Sequence, residues 1–494
     1  MTREPENPKP PAPPDPEKDE AVIQDAPPSE IPVRRPVAPQ QRELTGKLAG
    51  LSLPRQVLVL ATWPFLEHAL NVAVSWVDMA LAGRLGEQAV PATNAMAITG
   101  MIGWLMGLLM MAIGVGSTAL IARAIGGRHR RVARAAVGQS LIMASAVGLV
   151  IAFVLFFGSP WLGAAFGLEG EALELCVIYL RVLAPAAPMT GLLFIGGACL
   201  RGAGDTRTPF RAMVAVNVVN VSISVTLVFG PEPLGGWGIG GIAAGTSVGW
   251  AVGAVLLVSL LLSPGAAVQL FVHRLRPHVH TMKRIIRVGI PNLIESSGQW
   301  IGNAVIVSFV GGLAAEAALG AHMIAIRIEA MSFLPGAAVG TAAATLAGQY
   351  LGLGDPHRAK KAVSLCWGLG AGIMLLMGFA FIFIPEPLVR IMTNEPELLE
   401  TAPPLLRIAG PVQVFFGSYM VLAQALRGAG DTTTAMLMTY ASTFLIRVPA
   451  AYLLGVHLGY GLIGIWLALC GELVVRGSIF AARFLQGGWT KVKV

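Results

Sequence analysis

Two apolar stretches of this chain carry carboxylate and amide side chains at helical spacing, and these residues are the first candidates for chemistry. At about 100° per residue, each set falls within an arc of roughly 80° on one face of a helix. An ionisable group at the centre of a membrane helix costs about 2.5 to 3.5 kcal/mol, so it needs a partner or a polar cavity. The first stripe is Glu67, Asn71, Ser75 and Asp78, and the second is Asn292, Glu295, Gln299 and Asn303.

The stripe carboxylates are predicted to bind a cation or a proton, because Asp and Glu change charge when they do so. Asn217, Asn220 and Ser224 share one face of a later helix and could supply neutral oxygen ligands opposite Asp78. Hydrogen bonding between helices is an equal alternative for the amides. The predicted cation or proton site of the first half is Asp78, Glu67, Asn217, Asn220 and Ser224, and the predicted cavity residues of the second half are Glu295, Gln299, Asn292 and Asn303.

Other charged residues in the apolar stretches are predicted to have structural roles. Arg447 precedes Pro449, so it is expected to bond a carboxylate or the carbonyls that the proline frees. Glu472 and Arg476 have the spacing and order of an ion pair within one helix. We expect no arginine inside a predicted span to join either polar stripe. The arginines inside the predicted spans are Arg181, Arg327, Arg407 and Arg447.

The elements that must position these residues are membrane helices. Of the 494 residues, 55% are hydrophobic and 13% are charged, and the mean hydropathy is +0.69, whereas a soluble chain is about one quarter charged. This composition excludes a soluble enzyme. Runs of roughly 20 apolar residues can cross a bilayer. They predict an all-α polytopic membrane protein with twelve transmembrane helices, near residues 53–82, 91–121, 134–158, 173–200, 208–230, 238–262, 284–311, 317–350, 362–385, 403–426, 434–456 and 461–485.

Basic residues predict the orientation of these helices. The loops on the side of the amino terminus hold most of the loop Arg and Lys residues, whereas the opposite loops hold only Arg84 and Arg390. Because basic loops stay in the cytoplasm, we predict a multi-pass protein of the plasma membrane with both termini cytoplasmic. The first 40 residues contain twelve prolines and few large apolar groups, so residues 1–50 are predicted to be a disordered cytoplasmic tail.

An internal repeat divides the chain into two halves. The sequence LRGAGDT at Leu200–Thr206 recurs at Leu426–Thr432, 226 positions later and after the same ordinal helix of each half. Since each half has six spans, the halves have the same orientation, and the binding cavity is expected between them. The predicted organisation is the tail 1–50, an N-lobe 51–262 with helices 1–6, a cytoplasmic linker 263–283, a C-lobe 284–485 with helices 7–12 and a C-terminal cytoplasmic tail 486–494.

Three further patterns limit the chemistry. The phosphate-binding pattern GxxxxGK[ST] is absent, so the chain does not hydrolyse ATP, and we predict no cofactor, with H⁺ or Na⁺ as the coupling ion. One carboxylate suffices for a proton, whereas sodium needs several hard oxygen ligands, which favours protons. The four cysteines are well separated, which indicates packing residues and no disulfide or metal site. In the sixth helix, glycines every four residues indicate a face that packs closely against another helix; they are Gly241, Gly245, Gly249 and Gly253.

The duplicated LRGAGDT, VDMALAGRLG in the first helix and FLPGAAVGTAAATLAGQYLGLGD in the eighth together resemble the multidrug and toxic compound extrusion family, from about Leu53 to Leu485. The resemblance implies two six-helix lobes around a V-shaped cavity, and export of organic, often cationic, compounds against inward flow of sodium ions or protons. It also implies that Asp78 and Asn220 belong to the cation site of the N-lobe. Expected partners are small organic substrates and membrane lipids, the latter near His273, His278 and His280; no nucleic acid is expected, and the protein is expected to be a monomer.

The chain departs from some members of that family. Ser224 stands where some have an aspartate, Gln299 aligns with a glutamate, and Phe416 aligns with an aspartate. The coupling ion and the lobe that binds it are therefore left open. The alternatives to a non-enzymatic antiporter are a lipid-linked-precursor flippase of the same superfamily, which would need cationic residues in its cavity, and a membrane-embedded enzyme, which would need a polar or metal cluster at the membrane surface.

Overall fold

The computed structural model describes residues 43–231, 233–271, 275–313 and 317–492. Residues 1–42 of the predicted tail lie outside the described residues, as does His273 of the predicted linker. The regular structure of the described part is helical throughout.

Twelve long helices account for the fold of the described residues, which confirms the predicted number. Eleven of those described are long and apolar enough to cross a membrane, and the twelfth, α7, has 33 residues but carries the second polar stripe. The helices are α1 Leu53–Ala82, α2 Ala89–Gly126, α3 Arg130–Ala165, α4 Gly170–Gly202, α5 Arg207–Phe229, α6 Gly238–Leu262, α7 Val279–Gly311, α8 Ala318–Gly352, α9 Pro356–Phe383, α10 Pro396–Ala429, α11 Thr432–His457 and α12 Gly461–Gln486.

Prolines interrupt the same helix in each half. A 3-10 turn at Ala184–Ala186, which contains Pro185, divides α4, and one at Gly410–Val412, which contains Pro411, divides α10. These turns lie 226 positions apart, like the LRGAGDT repeat. Proline lacks the N–H that would continue the helical ladder. The structure thus extends the internal repeat from sequence to helix geometry.

The helices form two lobes, α1–α6 and α7–α12. Within the N-lobe, α5 packs along α6 and α3 along α4, while α8 packs on α9 and α10 in the C-lobe. The lobes meet where α2 contacts α7 and α8 and where α1 contacts α8. Helix α7 begins at Val279, inside the stretch 263–283 predicted as a linker.

Both ends of the described chain lie at one end of the bundle, which we call the terminal face. Lys47 Nζ, ahead of α1, lies 2.6 Å from Asp205 Oδ2 in the first LRGAGDT loop. The carbonyl of Val492 accepts a 2.7 Å hydrogen bond from Arg123 at the end of α2. The two repeat loops, which follow α4 and α10, therefore belong to the terminal face.

Three positions of the repeated loop have structural roles. Gly204 and Gly430 adopt φ of +87° and +88°, which favours glycine. A Cβ on Gly202 would lie 2.9 Å from the carbonyl oxygen of Thr118, so this glycine permits close helix packing. In the first loop, Asp205 also binds the start of the next helix, since Thr208 N donates to Asp205 Oδ1 at 3.2 Å. The loop is a helix-to-helix turn.

Candidate functional site

The glycine face of α6 positions the polar residues of α5. A Cβ on Gly245 would overlap Ser224 Oγ, and a Cβ on Gly249 would lie 2.9 Å from the carbonyl oxygen of Val216. Small residues let helices approach this closely in membranes. The predicted packing role of these glycines is therefore confirmed, and the close approach places Asn220 against α6.

Asp78 and Asn220 form a buried pair with unsatisfied oxygens. Asp78 is 8% exposed and Asn220 is 2% exposed, and the Asp78 carboxylate lies beside the side chains of Asn220 and Thr246. Asn220 Nδ2 donates to Thr246 Oγ1 at 2.9 Å. Neither Asp78 Oδ1 nor Asn220 Oδ1 has a hydrogen-bond partner among the described residues. Two buried acceptors are thus left without a donor, which is costly unless a cation or proton occupies the site.

The other two α5 candidates are engaged elsewhere. Asn217 Nδ2 donates to the carbonyl of Met213 in its own helix at 2.7 Å. Ser224 Oγ lies 3.4 Å from the carbonyl of Ile242 on α6. The structure therefore brings Asn220 to Asp78, while the hydrogen bonds of Asn217 and Ser224 are made to backbone carbonyls.

Two residues of this site are not predicted from the sequence. Thr246 orients Asn220, and Tyr179 of α4 lies close enough to interact electrostatically with Asp78. Both are buried. Thr246 directly follows Gly245 in the sequence, so a search for polar residues beside the glycine face could have identified it. For Tyr179, the sequence carries no local signal, because its proximity to Asp78 arises from helix packing.

The first-stripe carboxylate Glu67 is paired with arginine. Arg201 Nη1 lies 3.1 Å from Glu67 Oε1 and 3.3 Å from Oε2. Arg201 is the arginine of the first LRGAGDT loop and lies in the last turn of α4. The negative charge of Glu67 is therefore compensated by Arg201, whereas Asp78 has no cationic partner within the described residues.

The second half contains a similar ion pair. Arg427 Nη2 lies 2.7 Å from Glu295 Oε1, and Thr439 Oγ1 donates to the same oxygen at 2.8 Å. Arg427 is the arginine of the second repeat, 226 positions after Arg201. Glu295 is fully buried. Its charge is balanced by a partner on α10.

The expectation that no span arginine joins the polar stripes is wrong. Arg447 Nη1 donates to Asn303 Oδ1 at 2.9 Å, and the repeat arginines Arg201 and Arg427 bind the stripe glutamates. Those two were missed because the predicted spans ended one residue before each arginine, whereas α4 and α10 continue past them. Asn303 and Arg447 meet because α7 packs against α11.

A buried network fills the C-lobe behind this stripe. Glu472 accepts from Arg447 Nη2 at 2.8 Å and from Arg476 Nε at 2.6 Å. The predicted ion pair of Glu472 and Arg476 is thus present, and Arg447 binds a carboxylate, as one of the two expectations stated. Gln299 Nε2 donates to Tyr419 Oη at 2.6 Å. The polar residues of α7 are therefore held by interhelical contacts.

Asn292 is the exception in the second stripe. It is 2% exposed, and its Nδ2 has no hydrogen-bond partner among the described residues. An amide nitrogen is a donor and cannot bind a cation. The unpaired atom of Asn292 is therefore a donor, and the neighbouring candidate Glu295 is already paired with arginine.

The two lobes differ at the positions of the Asp78 site. On the 226-residue repeat, Asp78 corresponds to Ala304 and Asn220 to Ile446. At these repeat positions, the N-lobe places an uncompensated carboxylate beside an amide side chain, and the C-lobe does not. Carboxylate, amide and hydroxyl oxygens are ligands of hard cations, and a carboxylate can instead take a proton. No group of three or more His, Cys, Asp or Glu able to hold a metal ion occurs in the described ranges.

Two lobes of six membrane helices in parallel repeat, with a buried carboxylate site in one lobe, define a secondary-transporter class of fold. The model of the MatE family matches residues 65–226 and 291–453, once in each half. The chain belongs to the MatE family, the multidrug and toxic compound extrusion family that its motifs resemble.

Relatives and solved structures agree with this membership. A probable multidrug resistance protein, NorM, of Thermotoga maritima is 28% identical over 437 residues, covering 88% of this chain and 93% of that protein. The multidrug resistance protein PmpM of Pseudomonas aeruginosa is 25% identical over 452 residues, covering 87% and 92%. The structure of an outward-facing multidrug resistance MATE transporter matches with a TM-score of 0.82 at 21% identity, covering 90% of this chain and 97% of that chain.

Proposed function

We propose that this protein is a secondary antiporter that exports organic, drug-like cations from the cytoplasm in exchange for protons or sodium ions, with Asp78 as the coupling residue. The observation that carries the proposal is the pair of buried, unpartnered oxygens on Asp78 and Asn220. An uncompensated carboxylate inside a membrane helix is costly and marks an ion or proton pathway. The names of the relatives, multidrug resistance proteins, support the class of substrate.

The coupling site is assigned to the N-lobe because the other stripe carboxylates are neutralised. Glu67 and Glu295 each bind an arginine of the repeat loop. Taking up a proton would require either glutamate to give up that ion pair. Asp78 has no arginine or lysine partner within the described residues, so its charge can change without breaking an ion pair.

Protons are favoured over sodium ions as the coupling ion. Near Asp78 the chain offers the side-chain oxygens of Asn220 and Thr246, but only one carboxylate. Sodium needs several hard oxygen ligands, whereas a proton needs one carboxylate. Protonation removes the negative charge that attracts a cationic substrate, and a difference in affinity between the two states shifts the population of the lobes.

The arginines argue against a lipid-linked-precursor flippase. A flippase cavity would use cationic side chains to bind phosphate groups. Arg201, Arg427, Arg447 and Arg476 are each bound to a glutamate. Arg447 and Arg476 share Glu472, and all four guanidinium groups are engaged by carboxylates within the lobes and are not offered to a phosphate.

The location and partners follow from the same reasoning. We assign the protein to the plasma membrane with the terminal face in the cytoplasm, since the basic loops belong to that face. Small organic substrates and membrane lipids are the assigned partners, without nucleic acid, and the transporter is assigned as a monomer. It requires no cofactor and catalyses no chemical reaction.

The test is transport by purified protein in sodium-free liposomes. When the cytoplasmic face points outward, an inside-acid gradient should drive accumulation of a fluorescent organic cation. Asp78→Asn should insert normally and abolish this accumulation. Asp355→Asn is the matched control, because Asp355 caps α9 by accepting from Arg358 N at 2.9 Å, and asparagine caps equally well.

Two outcomes would count against the proposal. Wild-type accumulation by Asp78→Asn would place the coupling residue elsewhere. Accumulation that requires a sodium gradient would refute proton coupling and leave sodium as the ion.

A further inference from the structure

The two lobes are closed at the terminal face by hydrogen bonds that each lobe donates to the repeat loop of the other. Arg123 Nη2, on α2 of the N-lobe, donates to the carbonyl of Ala429 in the C-lobe loop at 2.9 Å. Gln349 Nε2, on α8 of the C-lobe, donates to the carbonyl of Gly202 in the N-lobe loop at 3.0 Å. The contact is therefore reciprocal.

The reciprocity follows from the internal repeat. Arg123 and Gln349 are 226 positions apart, as the two LRGAGDT loops are. The same helix of each half thus bears a long polar side chain at the same position, and each reaches across the lobe boundary. Thr345 adds a third bond across the boundary, from Oγ1 to the carbonyl of Arg201 at 3.0 Å.

Small residues allow the helices to approach closely enough for these bonds. A Cβ on Gly126 would overlap the carbonyl oxygen of Gln349, and a Cβ on Gly352 would overlap that of Arg123. Gly126 and Gly352 are also 226 positions apart. The ends of α2 and α8 therefore meet backbone to backbone, with no room for a water-filled path between them.

The ends of the chain lie across the same boundary. Leu44 and Leu48 pack in a hydrophobic cluster formed mainly by C-lobe residues, while the neighbouring Lys47 pairs with Asp205 of the N-lobe. At the other end, Trp489 is fully buried beside Phe484 of α12. The carbonyl of Val492 then accepts the second bond from Arg123. Both terminal segments thus join the lobes at the closed face.

We propose that Arg123, Thr345 and Gln349 form a lock that holds the terminal face closed, and that the lock must open before substrate can enter from that side. The direction of entry rests on the proposed function, which puts this face in the cytoplasm. These residues act as positioning residues for the two lobes. A buried hydrogen bond contributes about 1 kcal/mol, so losing one should raise the ratio of open to closed molecules about fivefold, and losing two about thirtyfold.

Two threonines of α8 provide a matched comparison. Thr345 Oγ1 bonds across the lobes, whereas Thr341 Oγ1, one turn away, bonds the carbonyl of Ala337 in its own helix at 3.1 Å. Threonine to valine removes the hydroxyl at similar shape in both cases. Thr345→Val should therefore shift the lobe equilibrium, and Thr341→Val should not.

The measurement is the distance distribution between spin labels on cysteines introduced at Arg130 and His357, which are exposed residues at the terminal ends of α3 and α9 in opposite lobes. All four native cysteines are buried. In membranes without substrate or ion gradient, the open population should rise about fivefold in Thr345→Val and about thirtyfold in Thr345→Val with Gln349→Met.

The proposal is overturned if Thr341→Val opens the face as much as Thr345→Val, or if Thr345→Val leaves the distribution unchanged. The single variant keeps the test decisive if the double variant does not fold. Because the distances are measured without transport, failure here leaves the role of Asp78 intact. Failure of Asp78→Asn to abolish transport would likewise leave the lock standing.

Discussion

The two ion pairs that the repeat-loop arginines make should contribute unequally to stability, and the C-lobe pair tests this most directly. In that pair, the Glu295 side chain is 0% exposed and the Arg427 side chain is 13% exposed. Removing Arg427 would leave a buried carboxylate with Thr439 as its remaining hydrogen-bond donor. Arg427→Met should therefore be the most damaging change in this pair.

The expected magnitude follows from burial. Breaking a buried ion pair by removing one partner costs about 3–5 kcal/mol, because the other charge stays buried and uncompensated. Glu295→Gln should cost less, about 1–3 kcal/mol, since Arg427 retains some exposure and the introduced amide oxygen can still accept from Thr439. Replacing both partners removes both charges, so the double variant should be more stable than Arg427→Met alone.

The assay is thermal unfolding of the purified protein in detergent, followed by tryptophan fluorescence. The expected order of melting temperatures places Arg427→Met lowest, the double variant Glu295→Gln with Arg427→Met above it, and wild type highest. The N-lobe pair of Glu67 and Arg201 serves as an internal comparison. Its side chains are 20% and 9% exposed, so Arg201→Met should cost about 1–2 kcal/mol, between the values for surface and buried pairs.

Two results would refute this reasoning. If the double variant is less stable than Arg427→Met by the full cost of Glu295→Gln, the two residues do not interact energetically. If Arg201→Met is as destabilising as Arg427→Met, burial does not determine the cost of these pairs.

Two further predictions concern helix packing and orientation. Gly245→Ala should destabilise the protein by about 1–3 kcal/mol and impair transport, because its Cβ would overlap Ser224 and separate α5 from α6. The control is Gly240→Ala, because a Cβ at that position of the same helix has room. Equal melting temperatures for the two variants would contradict the packing role of Gly245. Thiol labelling from outside intact cells should reach a cysteine introduced at Glu169 and not one at Arg130, and the opposite pattern would reverse the proposed topology.

Much of the fold can be predicted from the sequence because a bilayer imposes local rules. Each spanning helix satisfies its backbone hydrogen bonds within its own segment, so an apolar run of sufficient length predicts a span. The LRGAGDT repeat predicts the two halves, and the glycine spacing in α6 predicts a packing face. The predicted start of α7, residue 284, misses the five residues from Val279, since its first turn is polar and basic.

The candidate site can be predicted in part. Helical periodicity identifies Asp78 as a polar residue on a lipid-embedded helix, and the resemblance adds Asn220. The same periodicity also selects Glu67 and Glu295, which are likewise carboxylates within long apolar helices. Nothing local distinguishes these three carboxylates.

Only the tertiary structure decided which carboxylate lacks a compensating charge. Arg201 reaches Glu67 across 134 positions, and Arg427 reaches Glu295 across 132. Such pairs depend on which helices become neighbours and on where each helix ends. The bilayer and hydrogen bonding within each segment determine the helices, and therefore the sequence alone suffices to predict them. Helix packing determines which charges meet, and it leaves Asp78 beside Asn220 and Thr246 without a cationic partner among the described residues.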